Sequence, residues 1–304
     1  YPRTLHSAET GCAELLRNLL EADLPQTAIA PEPDVERFAA ASGVRMPPAQ
    51  RAALVHALTA PVSVITGGPG VGKTTIVRAL VTILREHGLR VRLCAPTGRA
   101  AKRLEESTGH VATTIHRLLE FQAGIYRFGR NAEAPLEGHL LVVAETSMLD
   151  VQLAYSLLRA VPPGMRLVVV GDADQLPAVG PGNFLRDLID SGVVPVTALT
   201  EVFRQQRDSH IVTAAHEILH GRVPVSGGEG SDFYVVETRD AAHTRAVVRE
   251  LVTRRIPTAF GLDPRTDVQV LTPMYRGEAG ADALNADLRE ALNPGGDQLT
   301  RGTH

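Results

Sequence analysis

The chain is 304 residues long, 44% hydrophobic and 21% charged, which suits one large or two ordinary globular domains and excludes disordered and fibrous classes. No stretch approaches 18 uncharged apolar residues, and the first thirty positions lack the basic, apolar, small-residue order of a secretory leader, so neither a membrane-spanning nor an exported protein is expected. The formal charge of −3 hides an uneven distribution: residues 1–47 hold seven acids against four bases, whereas Ala95–Arg130 holds six Lys/Arg against three Glu, a local excess that suits either a polyanion or a solvated face.

Over residues 5–22, Leu5, Cys12, Leu15, Leu16, Leu19 and Leu20 recur at helical spacing. Pro25, Pro31 and Pro33 then separate this helix from a second, short one near 35–41, and the two read as a helical N-terminal segment over 1–46. Cys12 and Cys94 are the only cysteines and lie outside any CxxC or Cys/His cluster. Neither a disulfide framework nor a zinc site is expected, and a reduced, cytoplasmic setting is.

From Pro61 the pattern changes to strands predicted at 62–66, 91–95, 140–144 and 167–171, alternating with helices at about 73–87, 98–107, 149–159 and 183–190. Such alternation predicts an α/β fold, a parallel sheet with helices on both faces, over 47–200. Inside it, Phe121, Ile125, Tyr126 and Phe128 surround Ala123-Gly124 in a segment short enough for one inserted hairpin, about 120–132. A helix at 209–220, glycines at 227, 228 and 230, a strand at 233–237, a helix at 241–254 and a strand at 267–271 begin a second α/β unit over 201–304. The last dozen residues read as loop.

Val62–Thr66 runs straight into Gly67-Gly68-Pro69-Gly70-Val71-Gly72-Lys73-Thr74-Thr75, which satisfies GxxxxGK[ST] between a strand and a helix. Glycines let the backbone curl so that successive N–H groups of Gly68, Gly70, Val71, Gly72, Lys73, Thr74 and Thr75 point at phosphate, and the following helix offers its positive end. Lys73 would reach the β- and γ-phosphates, and the Thr74 hydroxyl would hold Mg²⁺. Lys73 and Lys102 are the only lysines in an arginine-rich chain. Seventeen residues before Gly67, Gln50 begins a helix where its amide could pair with adenine N6 and N7.

A phosphate loop alone says only nucleoside triphosphate. Five further motifs narrow the choice: Ala95-Pro96-Thr97-Gly98-Arg99-Ala100-Ala101-Lys102-Arg103-Leu104, Thr113-Thr114-Ile115-His116, Glu145-Thr146-Ser147-Met148, Gly171-Asp172-Ala173-Asp174-Gln175-Leu176-Pro177, and Leu199-Thr200-Glu201-Val202-Phe203-Arg204. This ordered series resembles superfamily 1 DNA helicases, most closely the RecD-like branch that moves 5′ to 3′, over about residues 44–280. The resemblance implies a RecA-like first motor domain with a small pin, a partial second RecA-like domain, and ATP with Mg²⁺ as cofactors. Its partners would be single-stranded DNA and DNA with a 5′ overhang.

By that resemblance Gln50 reads adenine, Glu145 polarises the attacking water, Gln175 senses the γ-phosphate, Arg204 stabilises the charge that builds up in phosphoryl transfer, and Phe203 stacks on the adenine. Pro96, Thr97, Gly98 and Arg99 would grip phosphates without reading bases. His116 would join them, the hairpin with Arg127 would sit where a duplex splits, and Thr272, Pro273, Tyr275 and Arg276 would contact single-stranded DNA from the second domain, with Tyr275 as a stacking face. The hairpin's aromatics would equally serve as a two-stranded core.

Two departures limit the resemblance. Where the family pattern puts an acidic pair, this chain reads Ala144-Glu145, so the Asp that orients Mg²⁺ through its waters is replaced and slow or absent ATP turnover is expected. Nothing after Tyr275 resembles the later motifs that complete the nucleotide site, so a truncated piece of a longer helicase is expected. The alternative is a nucleotide-dependent module that holds single strands without motor activity.

Overall fold

The computed structural model describes residues 2–201, 209–228 and 230–294. Their contacts divide the chain into two compact units, with the break between Val225 and Ser226. The expected boundaries at 46 and 200 do not coincide with that break.

The first unit opens with helices α1 (Arg3–Glu21), α2 (Pro31–Ser42) and α3 (Pro48–Thr59), then strand β1 (Val62–Gly67), α4 (Lys73–Glu86), β2 (Val91–Ala95), α5 (Gly98–Thr108), β3 (Ala112–Thr114) and the short α6 (Ile115–Leu118). A hairpin of β4 (Phe121–Gln122) and β5 (Arg127–Phe128) comes next, then β6 (Leu140–Val143), α7 (Val151–Leu158), β7 (Arg166–Gly171), α8 (Phe184–Asp190), β8 (Val196–Leu199) and α9 (His210–Leu219). Six strands form one parallel sheet in the order β3-β2-β6-β7-β1-β8. The hairpin is a separate antiparallel pair, with Phe121 opposite Phe128 and Gln122 opposite Arg127.

Both faces of the sheet are covered, which is why β6 and β7 are apolar almost throughout and β1 is broken only by Ser63 and Thr66. Val62, Val64, Leu141, Val143, Leu167 and Val169 point into one core layer, while Ile65, Leu140, Val142, Val168 and Val170 point into the other. α4 buries Ile76, Val77, Leu80, Ile83 and Leu84 against the second layer. Thr97 caps α5 by accepting from the Ala100 N–H at 3.2 Å, and Asp150 caps α7 by accepting from Leu153 at 2.9 Å.

The N-terminal helices are walls of this sheet unit. α1 puts Ala8, Cys12, Leu16 and Leu19 into the first layer, and α2 puts Val35 and Phe38 into the second. Gly11 lets α1 approach α7 closely, since a Cβ there would lie 2.3 Å from the Tyr155 ring. Both cysteines are free and buried, and burial pushes the Cys12 thiol up to about 12.

The four strands predicted over 47–200 form within a residue or so of their expected limits. The sequence reading missed β3 and β8, the two edges of the sheet. β3 is three residues of Ala and Thr, and β8 is four residues behind Pro195, too short for a period-2 signal, as edge strands often are.

In the second unit the strands expected at 233–237 and 267–271 do not form. A strand needs a neighbour for its backbone groups, and here Ser226 takes that place: its hydroxyl accepts from the Val235 N–H at 2.7 Å, while the Gly227 N–H donates to the Phe233 carbonyl. The helix expected at 241–254 forms as α10 (Ala241–Glu250), then widens to a π turn over Leu251–Arg255 before α11 (Ile256–Phe260). Pro257 lacks the N–H that an α-helix would donate to the Thr253 carbonyl, which accounts for the change of winding. α12 (Ala281–Leu292) completes this unit, tied to α10 by the bidentate Arg245–Asp287 ion pair.

Candidate nucleotide cleft and nucleic-acid face

The phosphate loop joins β1 to α4, and its backbone takes conformations that only glycine adopts easily: Gly67, Gly70 and Gly72 have φ of 154°, 74° and 90°. At Gly67 a Cβ would also sit 2.5 Å from the Leu199 carbonyl oxygen, because β8 runs alongside. The loop delivers Lys73 and Thr74 to the first turn of α4. Lys73 Nζ donates to the Gly68 carbonyl at 2.8 Å and also to that of Gly67. Burial lowers the Lys73 pKa, and the nearby Asp172 and Glu145 carboxylates offset only part of that.

Gln50 lies on α3, behind the phosphate loop. It is 2% exposed, and its Nε2 donates to the Val71 carbonyl at 3.0 Å. Its Oε1 has no partner among the described residues. The side chain therefore ties the phosphate loop from behind through one of its two amide N–H groups.

Glu145 follows β6 with φ of 54°, a left-handed backbone in a non-glycine residue, a strain of about 1–3 kcal/mol that clusters at functional sites. Its neighbours hold it there. The Thr146 hydroxyl donates to the Val170 carbonyl at 3.1 Å, and Ser147 Oγ donates to Gln175 Oε1 at 3.4 Å. Gly171 makes room for this junction, since a Cβ there would meet Thr146 Oγ1 at 2.6 Å. After β7, Asp172 is buried and the Ala173 N–H donates to the Thr66 hydroxyl at 3.2 Å, which joins the segment to β1.

The C-terminal ends of β2, β6, β7 and β1 thus meet in one cleft of about 890 Å³, the place where parallel α/β sheets bind ligands. Lys73, Thr74, Glu145 and Gln175 line it together with Ala144, Thr97 and Arg99. Phe203 and Arg204 lie outside the described residues. No group of three or more His, Cys, Asp or Glu able to hold a metal occurs among the described residues. The Thr74 hydroxyl, in a cleft also lined by Glu145, fits a Mg²⁺ that takes most of its ligands from water and phosphate.

The residues expected at nucleic acid separate into three places. Pro96 to Arg99 lie at the mouth of α5, where Gly98 and Arg99 are exposed while the Thr97 hydroxyl is engaged as a helix cap. His116 belongs to the hairpin: its ring lies 5.4 Å from Phe121, edge-on, and 5.7 Å from Phe128. Arg127 is exposed on β5. In the second unit, Pro273, Tyr275 and Arg276 are exposed, and Thr272 is anchored through its hydroxyl to the Ala279 carbonyl at 2.9 Å.

Missed by sequence reasoning were the loop clamp at Gln50 and the braces at Thr66, Thr146 and Ser147. Thr66 stands near the end of β1, and Thr146 and Ser147 follow β6 after Glu145, whereas Gln50 lies inside α3 and no strand pattern marks it.

A glycine loop between parallel strand and helix, with its lysine beside acids from the ends of neighbouring strands, defines a RecA-like P-loop nucleotide-binding protein. The chain belongs to the AAA domain family, whose model matches residues 45–244. It is 44% identical over 233 residues to the ATP-dependent RecD2 DNA helicase of Deinococcus radiodurans, covering 76% of this chain and 30% of that protein. It is 40% identical over 184 residues to the RecBCD enzyme subunit RecD of Mycobacterium tuberculosis, covering 53% of this chain and 31% of that one. Among solved structures, the Pif1 helicase from Candida albicans overlaps 60% of this chain and 45% of its own, with 25% identity and a TM-score of 0.46. The resemblance to RecD-like superfamily 1 helicases agrees with the two relatives, of whose length the chain spans about 30%.

Proposed function

We propose that this chain is the ATP-binding core of a RecD-like DNA helicase that couples ATP hydrolysis to 5′ to 3′ movement on single-stranded DNA. The observation that carries the reading is the single cleft in which Lys73, Thr74, Glu145 and Gln175 meet Thr97 and Arg99. A nucleotide site and a backbone-gripping loop share a wall there, which supports a motor that couples the two.

In this reading the loop amides and Lys73 bind the triphosphate, and Thr74 holds Mg²⁺. Mg²⁺ bound there would neutralise charge between the β- and γ-phosphates. Glu145, fixed by its strained backbone, orients and polarises the attacking water. Gln175 reports the γ-phosphate to the segment after β7. Gly98 and Arg99 grip DNA phosphates, as Thr272 to Arg276 do from the second unit, and DNA with a 5′ overhang is the loading substrate. A cytoplasmic setting suits this work. The domains in this reading are a sheet unit with its hairpin pin and a second unit that carries Thr272 to Arg276.

Ala144 favours a second reading, a nucleotide-dependent single-strand binder with little turnover, because no carboxylate stands at that position to orient the metal's waters. Equilibrium binding of a fluorescent ATP analogue tests the shared premise. Lys73→Ala is expected to weaken binding at least about tenfold, as for a lost charged phosphate contact, with the fold retained by circular dichroism. Unchanged binding would remove both readings.

A further inference from the structure

A second cleft, of about 740 Å³, opens at the other end of the sheet, where β2 and β3 begin and the hairpin is rooted. Arg85, Arg90, Arg92, Arg117 and Arg130 line it, with Glu120 and Glu137 as its only carboxylates. Those acids occupy part of the charge. Arg130 pairs with Glu120 at 2.9 Å and Arg90 with Glu137 at 3.2 Å, while Arg92 donates to the Glu137 carbonyl at 2.9 Å. Arg85 and Arg117 are exposed and carry no ion pair among the described residues, which leaves a net positive cleft. Arg130 also lines a smaller cleft on the hairpin's other flank, shared with Arg127 and Arg159.

We infer that this arginine cleft is a docking site for the phosphate backbone of duplex nucleic acid, separate from the single-strand grip at Gly98 and Arg99. The inference rests on the proposed function for its substrate class. Neither this cleft nor the one that holds Arg99 is lined by Phe, Tyr or Trp; what sets this one apart is its spread of charge, which Arg127, Arg130 and Arg159 continue along the hairpin's other flank. Charge spread over two flanks of a hairpin suits the broad phosphate backbone of a duplex, which is gripped without contact to bases. The aromatic side of the hairpin lies elsewhere: Tyr126 is 84% exposed at its turn. A duplex held at the hairpin's root would meet that turn where its strands part.

Fluorescence anisotropy on a blunt duplex and on a single strand of equal length, over a range of salt concentrations, tests this with the full chain. The double variant Arg85→Glu/Arg117→Glu is expected to lose about tenfold in duplex affinity at low salt, with the log–log salt slope reduced by about two, while single-strand affinity stays within about twofold, the spread expected when no contact is lost. Arg85→Gln/Arg117→Gln, which removes charge without adding any, is expected to move the same way by less. Arg99→Ala is expected to do the reverse, weakening the single strand and sparing the duplex. Equal loss on both ligands, or none on the duplex, would overturn the inference. So would a wild-type chain that binds single strands and no duplex, with the proposed function left standing, whereas binding of neither ligand would remove both.

Discussion

Gln50 is the residue whose surroundings most change its reading. The resemblance gives it the adenine, but it is buried behind the phosphate loop with one of its two amide N–H groups on the Val71 carbonyl. A clamp and a base reader make different demands. If the clamp governs, Gln50→Ala is expected to weaken ATP and GTP binding alike, by the roughly 1–3 kcal/mol of a buried carbonyl left without a partner; loss of ATP binding alone, in titrations of both nucleotides, would restore the adenine role. The residues legible in sequence were those fixed by chemistry that recurs: Lys73 and Thr74 follow from the glycine spacing, and Glu145 and Gln175 from the motifs at strand ends. Illegible were the contacts that depend on which strand lies next to which. Thr66 meets Ala173 only because β1 and β7 pair, although they are a hundred residues apart in sequence.

Among the elements, the central strands could be read because burial on both faces makes them apolar almost throughout, and the helices because their buried faces repeat at helical spacing. The edges β3 and β8 could not, since three or four residues with one buried side carry no period. The close crossing of α1 and α7 was equally hidden, although Gly11 marks it. Gly11→Ala is expected to destabilise the first unit by about 1–3 kcal/mol, the usual range for overpacking, because its Cβ would collide with the Tyr155 ring; urea unfolding measures the shift. In the hairpin, His116, Phe121 and Phe128 form one aromatic group. Phe121→Ala is expected to leave nucleotide binding unchanged and to release the His116 ring, visible as sharpened and shifted imidazole resonances.

At the scale of the molecule, one polar cluster links α2 to the end of α4. Burial alone would raise the Asp34 pKa, yet the Ala30 N–H, His87 Nε2 at 2.8 Å and Arg37 at 2.6 Å together hold it below the ordinary value of 3.8. A carboxylate depressed in the folded state adds stability above its unfolded pKa, and that stability is lost as pH falls through the folded one. The gap in melting temperature between the wild type and Asp34→Asn is therefore expected to close as pH falls below about 4; a gap that persists at lower pH would deny the ion-pair origin. Larger questions turn on whether the nucleotide cleft and the single-strand grip act as one machine. ATP hydrolysis by the chain and by Ala144→Asp, each with and without single-stranded DNA, measures that most directly. Turnover that rises with the aspartate and rises again with DNA is expected; an aspartate variant no faster than the wild type, or indifferent to DNA, would contradict it.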